Sequence, residues 1–335
     1  QGMLLDVARE FVKDKSPGSE VRKLLESEAG FSEPVWKELV DLGWTGINLP
    51  ESVGGSGLGI AALIPVVESM GKGLMGTPLV STVLAAELIR RAGGIAEEDV
   101  LEDISGGCAA TVAYLDGSDW GGANTGVSVD ENGVLSGSKF MVPDAAQATW
   151  IAVVGSNAEG DSVIALVGGS DVAAQAQASH ALIDLTKRAS TLDFSGVKAQ
   201  RVLSGDKVAS AIRDYLLIGA LLTAAEAVGS TSACLGGIVD YLKTRKQFGK
   251  LIGSFQALKH PTVDIYVGME HARSLVYHAS SEIDDGPLST EAEVACRMAK
   301  AKASDNIQYA GDRSVQFHGG FGFTWECDSS LFIRR

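Results

Sequence analysis

The sequence predicts an α+β protein of three parts: a helical domain over 1–105, an antiparallel, barrel-like β domain over 106–203, and an antiparallel four-helix-type bundle over 204–335. Apolar residues recur at helical spacing in the first and last parts. In the middle part, short β-branched and apolar runs alternate with Gly, Asp, Asn and Ser, which is typical of strands and turns. A chain of 335 residues is long enough for such units.

Four apolar stripes predict helices in the first part: Leu4, Val7, Ala8 and Phe11; Val35, Leu39 and Leu42; Ile60, Leu63, Ile64 and Val67; and Leu79, Val83, Leu84 and Leu88. Ser32 before Glu33-Pro34 is a typical helix start. Residues 50–59 read PESVGGSGLG, and their four glycines predict a loop.

Five segments of the middle part are predicted as strands, at 109–115, 133–142, 149–155, 162–168 and 190–197. Asn132-Gly133 is a hairpin signal, because both central residues of a tight hairpin turn need a positive φ. Short strands joined in this way predict antiparallel pairing.

Three long amphipathic runs, 205–244, 254–284 and 289–318, are predicted as helices of the last part. Pro261 falls inside the second run, where we expect it to kink or restart the helix. Glycine costs a helix up to about 1 kcal/mol relative to alanine. We therefore expect another helix or a ligand to come close to four glycines of the first run: Gly219, Gly229, Gly236 and Gly237.

The composition excludes several function classes. Acidic residues number 42 against 28 basic ones, a net charge of −14, so nucleic acid and anionic membranes are not expected as partners. The four cysteines form no C-x-x-C pair, so neither a metal site nor a disulfide framework is predicted. We see no uncharged apolar run of 18 residues and no signal peptide, and we expect a cytoplasmic protein with residues missing at both ends.

The first candidate site is the segment that begins at Arg245. It reads Arg245-Lys246-Gln247-Phe248-Gly249, and Phe255-Gln256 follow at the start of the next helix. A guanidinium beside a glycine at a helix corner suits a phosphate or pyrophosphate, because arginine makes paired charge-assisted hydrogen bonds. Taken alone, such a pair of cations is usually just solvated.

The second candidate site is the run Gln316-Phe317-His318-Gly319-Gly320 with Phe321-Gly322-Phe323. Its glycines allow backbone amides to approach a ligand, and Gln316 is both a donor and an acceptor. The alternative is a glycine C-cap that ends the third helix. The run is neither a G-x-G-x-x-G turn nor a P-loop, which disfavours nicotinamide dinucleotides and P-loop nucleotides.

Together, LPESVGGSGLG (49–59), RKQFGKLIGSFQ (245–256) and QFHGGFGFTWE (316–326) closely resemble motifs of the acyl-CoA dehydrogenases, and the resemblance covers nearly the entire chain. It implies a tetrameric flavoprotein of lipid metabolism with FAD bound between subunits. Such an enzyme inserts a double bond between the α and β carbons of an acyl-CoA thioester. Its electrons pass to an electron-transferring flavoprotein.

The resemblance also implies which residues bind FAD. Arg245, Lys246 and Gln247 correspond to a segment that reaches the FAD of a neighbouring subunit, with Phe248 beside it. Phe255 and Gln256 match an adenosine-contacting pair. The pyrophosphate loop corresponds to Gln316, Phe317, His318, Gly319 and Gly320. Tyr114 and Leu115 begin the flavin-contacting segment of the β domain.

Several positions depart from the family pattern. Where a strand of the β domain usually supplies Trp and a Ser or Thr to the flavin, this chain has Met141 and Pro143. Pro143 has neither a hydroxyl nor a backbone N–H, so it cannot donate a hydrogen bond to the flavin N5 edge. The segment 116–120, which reads DGSDW, predicts a shortened loop over the flavin.

The catalytic residue is unknown from the sequence. The family's glutamate base lies either on the long helix or in a loop that falls beyond Arg335. The helix position corresponds to Gly219, followed by Ala220 where the family usually has Arg, and neither takes a proton. Glu226 and Asp214 are the nearby carboxylates, for which a solvated or interface position is the default expectation.

Three hypotheses remain. In the first, the chain is the less catalytic subunit of a bacterial α2β2 heterotetramer of the kind that acts on steroid side chains, and a related partner chain supplies the base. In the second, it is a self-sufficient homotetramer whose glutamate lies beyond Arg335. The third, a lesser alternative, is a flavin oxidase or monooxygenase of the same fold.

Overall fold

The structure, a computed structural model, describes residues 2–93, 97–119, 122, 124–172 and 177–335. Trp120, the last residue of the predicted shortened loop, lies outside the described residues. The described chain follows the predicted order of helices, then β structure, then helices.

The N-terminal part contains the described helices α1 (Gly2–Lys15), α2 (Gly18–Leu25), α3 (Glu33–Asp41), α4 (Ile64–Lys72), α5 (Leu79–Gly93) and α6 (Glu98–Ser105). The four predicted stripes lie on α1, α3, α4 with the 3₁₀ turn before it, and α5, while α2 and α6 were not predicted. Helix α3 begins at Glu33, as expected, with Pro34 in its first turn. The Ser32 side chain, however, makes no capping hydrogen bond.

The middle part contains the described strands β1 (Ala110–Ala113), β2 (Ser128–Val129), β3 (Leu135–Ser136), β4 (Ser138–Pro143), β5 (Trp150–Ser156), β6 (Ser162–Gly168), β7 (Gln177–Ser179), β8 (Ala189–Asp193) and β9 (Arg201–Leu203). One sheet has the order β3-β2-β5-β6-β9, with β1 beside β5, and the other has the order β4-β8-β7. The predicted hairpin at Asn132-Gly133 joins β2 and β3. The predicted strand 133–142 is divided into β3 and β4.

Most strand pairs are antiparallel, as predicted, but β1 and β2 each run parallel to β5. Antiparallel neighbours can be joined by a tight turn, whereas parallel neighbours need a long crossover. The chain between β1 and β5 makes such an excursion, since it passes through β2, β3 and β4 first. The turn signals could not reveal this pairing.

The C-terminal part contains α7 (Lys207–Thr244), the short strands β10 (Lys246–Gln247) and β11 (Lys250–Leu251), α8 (Gln256–Ser281), α9 (Thr290–His318) and α10 (Ser329–Phe332). The three predicted long helices are confirmed. The expected restart at Pro261 is wrong, because α8 runs on through this residue. Pro261 lies in the second turn of α8, where its missing N–H removes a single helical hydrogen bond.

Helix α7 is the central helix of the fold. By length and composition it could cross a membrane, but it packs against α4, α5, α8 and α9 as a core helix does. A Cβ on Gly229 would lie 1.8 Å from the Glu68 carbonyl oxygen of α4, so the expected close approach of a second helix is confirmed there. It is wrong within this chain for Gly236 and Gly237, which have no neighbouring atom within 4 Å of such a Cβ.

Candidate functional site

The segment after α7 folds into a small hairpin at the surface. Strands β10 and β11 pair Lys246 with Leu251 and Gln247 with Lys250. The two turn residues have positive φ angles, +52° at Phe248 and +77° at Gly249, as the tightest hairpin turns require. Phe248 is 89% exposed at the tip, and its ring meets the Phe255 ring edge-on at 6.2 Å. Arg245, Lys246 and Gln247 are therefore displayed to solvent.

The glycine run ends helix α9. The Gly319 N–H donates a hydrogen bond to the Gln316 carbonyl, so the run does form a helix C-cap. A Cβ on Gly319 or Gly320 would meet no atom within 4 Å, so the backbone of both glycines faces open surface. Gln316 is exposed, whereas Phe317 is buried in the core and its ring is withdrawn from the surface. The C-cap and a ligand-binding backbone are therefore compatible.

The structure brings these two motifs to the same end of the bundle. The His318 ring lies 4.5 Å from the Tyr241 ring, one helical turn before Arg245. Its Nδ1 is hydrogen-bonded to the Ser314 carbonyl at 2.7 Å. A shared apolar core lies beneath both motifs and includes Leu242, Ile252 and Phe317. We call residues 245–250, 255–256 and 316–320 together the cationic corner.

The cationic corner has the chemistry that a pyrophosphate requires. Arg245 and Lys246 form no ion pair with any residue that the structure describes, and Lys250 lies 4.8 Å from the Phe255 ring centre. The exposed backbone of Gly320 lies at the same end of the bundle and offers an N–H donor. An unpaired guanidinium beside exposed backbone amides fits the phosphate groups of a dinucleotide.

Tyr114 and Leu115 lie at the other end of α7. The Tyr114 ring is 6.1 Å from the Tyr215 ring, near the beginning of that helix, and burial raises the pKa of Tyr215 well above its usual range. Leu115 is buried. At a rise of about 1.5 Å per residue, α7 separates Tyr215 from Arg245 by about 45 Å. No single dinucleotide bridges that distance within one chain.

A buried lysine that the sequence analysis missed organises this second end. Lys139 of β4 has no exposed surface, and its Nζ donates to the Tyr114 carbonyl at 2.9 Å, to the Asn124 carbonyl at 2.6 Å and to the Asp116 carboxylate. Burial lowers its pKa, although the Asp116 hydrogen bond opposes that effect. The available signal was a lysine inside a strand pattern, which is unusual at a buried position.

The end of β4 is irregular at Met141 and Pro143, the two positions where the sequence is expected to depart from the family's flavin contacts. The register with β8 shifts between Lys139 and Val142, and Met141 has a φ of +52°. The Pro143 carbonyl accepts a hydrogen bond from the Thr111 hydroxyl at 2.6 Å. Asp144, also at positive φ, accepts one from the Ser81 hydroxyl at 2.6 Å. Burial raises the pKa of Asp144.

The position on α7 that was matched to the family's base lies beside a neighbouring helix. A Cβ on Gly219 would lie 3.6 Å from the Leu84 side chain of α5. Ala220 brings only a methyl group. This part of α7 therefore offers no group that takes a proton.

Neither nearby carboxylate is solvated, so that part of the expectation is wrong, while an interface position stays a prediction. Asp214 is buried and accepts hydrogen bonds from Arg91, Arg213 and the Leu288 N–H. Glu226 is paired with Lys187 at 2.8 Å and with Arg335. Burial raises the pKa of Glu226, but these two cations outweigh it and hold the value at about 2. Both carboxylates are therefore held inside the fold as hydrogen-bonded partners of cations.

Comparisons with known proteins agree with this architecture. The models of the acyl-CoA dehydrogenase N-terminal and C-terminal domains match residues 1–98 and 209–335. Acyl-CoA dehydrogenase IpdE2 of Mycobacterium tuberculosis is 30% identical over 334 residues, which cover 99% of this chain and 89% of that protein. IpdE2 of Mycolicibacterium smegmatis is 29% identical, with 99% and 91% covered.

A solved steroid ACAD variant, Tcur3481-Tcur3483, is 28% identical with a TM-score of 0.87, covering 99% of this chain and 91% of that one. The fold of butyryl-CoA dehydrogenase from Megasphaera elsdenii is also similar, at 23% identity and a TM-score of 0.87, with 99% and 91% covered. The predicted family is therefore confirmed: the chain belongs to the acyl-CoA dehydrogenases, FAD-dependent oxidoreductases that act on acyl-CoA.

Proposed function

We propose that this chain is one subunit of a heterotetrameric acyl-CoA dehydrogenase and that its cationic corner grips the adenine and pyrophosphate half of an FAD. The flavin half of that FAD lies on the β domain of a related partner chain. The partner also supplies the carboxylate that removes the α proton of the thioester. The self-sufficient homotetramer and the flavin oxidase or monooxygenase are the alternatives.

The observation that carries this proposal is the separation of the two halves of the family's FAD site. Tyr114 packs near the beginning of α7, and Arg245 follows its end, about 45 Å away. Both sets of residues belong to one family pattern, yet they cannot hold the same cofactor in one chain. A complete site therefore needs two chains, each of which contributes one end.

The residues of the cationic corner fit the role of an FAD grip. The Arg245 guanidinium would make charge-assisted hydrogen bonds to pyrophosphate oxygens, which Lys246 supports by its charge. The Gly320 backbone N–H and the Gln316 side-chain amide would add neutral hydrogen bonds. When bound, FAD supplies the hydride acceptor for the β carbon of the acyl group.

Four residues support a partner chain as the source of the base. Met141 and Pro143 replace the groups that would hold the flavin edge, and Gly219 and Ala220 replace the base and its arginine neighbour. Glu226 does not serve instead, because a carboxyl with a pKa of about 2 is a weak base at neutral pH. The name of the steroid ACAD relative, which joins two designations, supports a two-chain assembly and a steroid-derived acyl-CoA substrate.

Two further assignments belong to the same proposal. We propose an electron-transferring flavoprotein as the electron acceptor, because the family resemblance implies it. We also propose a cytoplasmic location, which the four free thiols support, since disulfides are rare in the cytosol.

The test is flavin content after expression with and without a partner. The chain is produced alone and together with each acyl-CoA dehydrogenase chain encoded beside it. We expect stable FAD and acyl-CoA oxidation only in the co-expressed assembly, at one FAD per pair of chains. A homotetramer with one FAD per chain and full activity would exclude the partner-subunit proposal and support the self-sufficient enzyme. Steady oxygen consumption without an electron-transferring flavoprotein would support the oxidase alternative.

A further inference from the structure

A groove of about 310 Å³ lies between helices α8 and α9. The two helices touch at Gly268, where a Cβ would lie 2.1 Å from the side-chain oxygen of Asn306. Side chains on both sides of the groove are exposed, and we call the exposed residues within 263–271 of α8 and 294–309 of α9 the outer face. The outer face contains no residue of the cationic corner, so the proposed FAD grip leaves its role unexplained.

The outer face exposes large apolar side chains. Each is between 44% and 57% exposed: Val263, Tyr266 and Val267 of α8, and Val294 and Met298 of α9. Residues four apart lie on the same side of a helix, so Val263 and Val267 form one apolar stripe and Val294 and Met298 form another. A single exposed apolar residue needs no explanation, but stripes on two adjacent helices are typical of a surface that another protein covers.

The titratable side chains that line the groove have both signs of charge. Asp264 and His271 lie on α8, and Lys302 and Asp305 lie on α9, while the other lining residues are uncharged. None of these four side chains forms an ion pair or a hydrogen bond with a residue that the structure describes. The fold of the chain therefore does not use the lysine and the two aspartates of the outer face.

A second copy of this chain can satisfy these charges. In a contact with two-fold symmetry, residue i of one chain meets residue j of the other, and the reverse pair forms as well. Each Lys302 can therefore lie against an aspartate of the opposite copy, so that one contact contains two such pairs. Because each chain carries a net charge of −14, two copies repel one another in general. A contact between copies is favoured where cations and anions occur together, as they do on the outer face.

The proposed heterotetramer contains two copies of this chain, and the inference rests on that proposal. An FAD shared at the cationic corner joins one copy to one related partner chain, but it does not join one such pair to the other. We propose that the outer face makes this second contact, between the two copies of this chain across a two-fold axis. The apolar stripes are buried there, and Lys302 of each copy pairs with a groove aspartate of the other.

Photo-crosslinking in the co-expressed assembly identifies the neighbour of the outer face. The photoreactive residue p-benzoylphenylalanine replaces Val263 of this chain, and in the control it replaces Ile183, an exposed residue between β7 and β8. We expect irradiation to yield a product of twice the mass of this chain from the Val263 position and none from the Ile183 position. A product that joins this chain to the related partner, or no product at all, would overturn the proposal.

A second experiment adds a charge to the apolar part of the contact. Val267→Asp places a carboxylate at an exposed position of the groove, so the chain itself should still fold. We expect the tetramer to dissociate into two-chain pairs, with an association at least about tenfold weaker by analytical ultracentrifugation, because like charges then meet across the axis. Ile183→Asp adds the same charge elsewhere and should leave the tetramer intact. A Val267→Asp tetramer as tight as the parent would contradict the proposal.

The charge pairing has its own test. Lys302→Met removes the cation of the groove, and Lys300→Met is the control, since Lys300 donates to the Ser304 hydroxyl at 2.6 Å instead. We expect Lys302→Met to weaken the association of pairs about fivefold at low salt and less at high salt, because salt screens the lost ion pairs. Equal association of the two variants at low salt would show that Lys302 forms no pair across the axis.

The FAD content separates this inference from the proposed function. We expect the two-chain pairs of Val267→Asp to keep one FAD each, since the shared FAD lies within a pair. Loss of FAD on dissociation would place the outer face in the FAD-sharing contact and would overturn the inference. An assembly of identical chains with one FAD per chain would contradict the proposed function, whereas the crosslink at Val263 would still report a contact between copies.

Discussion

The two ends of α7 have opposite surfaces. At its beginning, Tyr114 packs against Tyr215, Leu115 is buried, and Leu84 lies beside Gly219. At its end, Arg245 and the backbone of Gly319 and Gly320 are exposed. The first end is thus packed with the chain's own side chains, whereas the second displays the Arg245 guanidinium, which forms no ion pair with any described residue.

Under the proposed function, this difference means that a chain can keep the residues that grip the adenine and pyrophosphate half of FAD without those that contact the flavin. The exposed half costs the isolated chain little, because solvated cations and glycine amides are satisfied by water. Under the proposed function, Pro143 and Met141 stand where the flavin half of the family site has a hydroxyl and a tryptophan. A subunit that only grips a neighbour's cofactor needs the first half and not the second. The predictions below change either the packing of α7 or a group near one of the two sites.

The largest effect is expected from the glycine that lets α4 and α7 touch. In Gly229→Ala, the new Cβ would lie 1.8 Å from the Glu68 carbonyl, so the helices must separate, and we expect a loss of about 3 kcal/mol or more in the free energy of unfolding. Gly236→Ala is the matched control, because its Cβ meets open space, and it should stabilise the isolated chain by up to about 1 kcal/mol. Urea unfolding measures the stability of both variants. Equal stability of the two would show that the contact at Gly229 does not set the distance between α4 and α7.

The second prediction concerns acid stability. Two cations hold the pKa of Glu226 at about 2 in the folded chain, against about 4.5 for an unperturbed glutamate, so its ion pairs stabilise the fold above pH 4.5. That contribution, about 3 kcal/mol, is lost as the pH falls from about 4.5 toward about 2. Glu226→Gln should therefore be less stable than the parent at pH 7 and approach it at low pH. Glu131→Gln, at an exposed turn, is the control. A loss of stability in Glu226→Gln that is the same at every pH would contradict the explanation by ion pairs.

Asp144, which follows Pro143 at the end of β4, should affect the pH dependence of folding stability in the opposite direction. Burial raises its pKa, so the folded chain binds a proton more tightly than the unfolded chain and loses stability as the pH rises through that range. Asp144→Asn keeps a polar group beside Ser81 and removes the buried charge. We expect it to gain stability relative to the parent at pH 8 and not at pH 4, by less than the Glu226 effect. A loss at both pH values would mean that the carboxylate is needed in its ionised form.

The smallest effect is expected at the tip of the hairpin in the cationic corner. Phe248 adopts a φ of +52°, which costs a residue with a Cβ about 1 kcal/mol, and asparagine tolerates this region better. Phe248→Asn should stabilise the isolated chain by up to about 1 kcal/mol and weaken its association with the partner. Thermal unfolding of the chain and analytical ultracentrifugation of the assembly measure the two effects. A variant that gains stability without any loss of association would show that Phe248 has no role at the interface.

The sequence predicted the long helices well because their apolar stripes record a single local period, as at Val208, Ile212 and Leu242 of α7. It missed the parallel pairing of β1 with β5, since pairing between distant segments leaves no local pattern. The restart at Pro261 was wrongly predicted, because a proline in the second turn of α8 removes only one helical hydrogen bond.

The candidate site was likewise predicted from the sequence only in part. The cationic corner was predictable because its motifs are contiguous, and only their meeting through His318 and Tyr241 required the structure. Lys139 was missed because its three acceptors come from loop backbone and from Asp116, which a strand pattern does not display. Glu226 and Asp214 were expected at solvated or interface positions. The sequence did not reveal their pairing with Arg335 and Arg91, because these two arginines lie more than a hundred residues away from them.

The central claim is that this chain's cationic corner binds an FAD whose flavin lies on another chain. Its most direct test is the FAD content of the co-expressed assembly when only this chain carries Arg245→Ala. The control is Lys243→Ala, two residues earlier on the exposed end of α7. Loss of a charge-assisted hydrogen-bond donor, about 1.5–3 kcal/mol, predicts that FAD binds roughly ten- to a hundredfold more weakly in Arg245→Ala and normally in Lys243→Ala, with the tetramer intact. Unchanged FAD affinity in an intact Arg245→Ala assembly would contradict the claim.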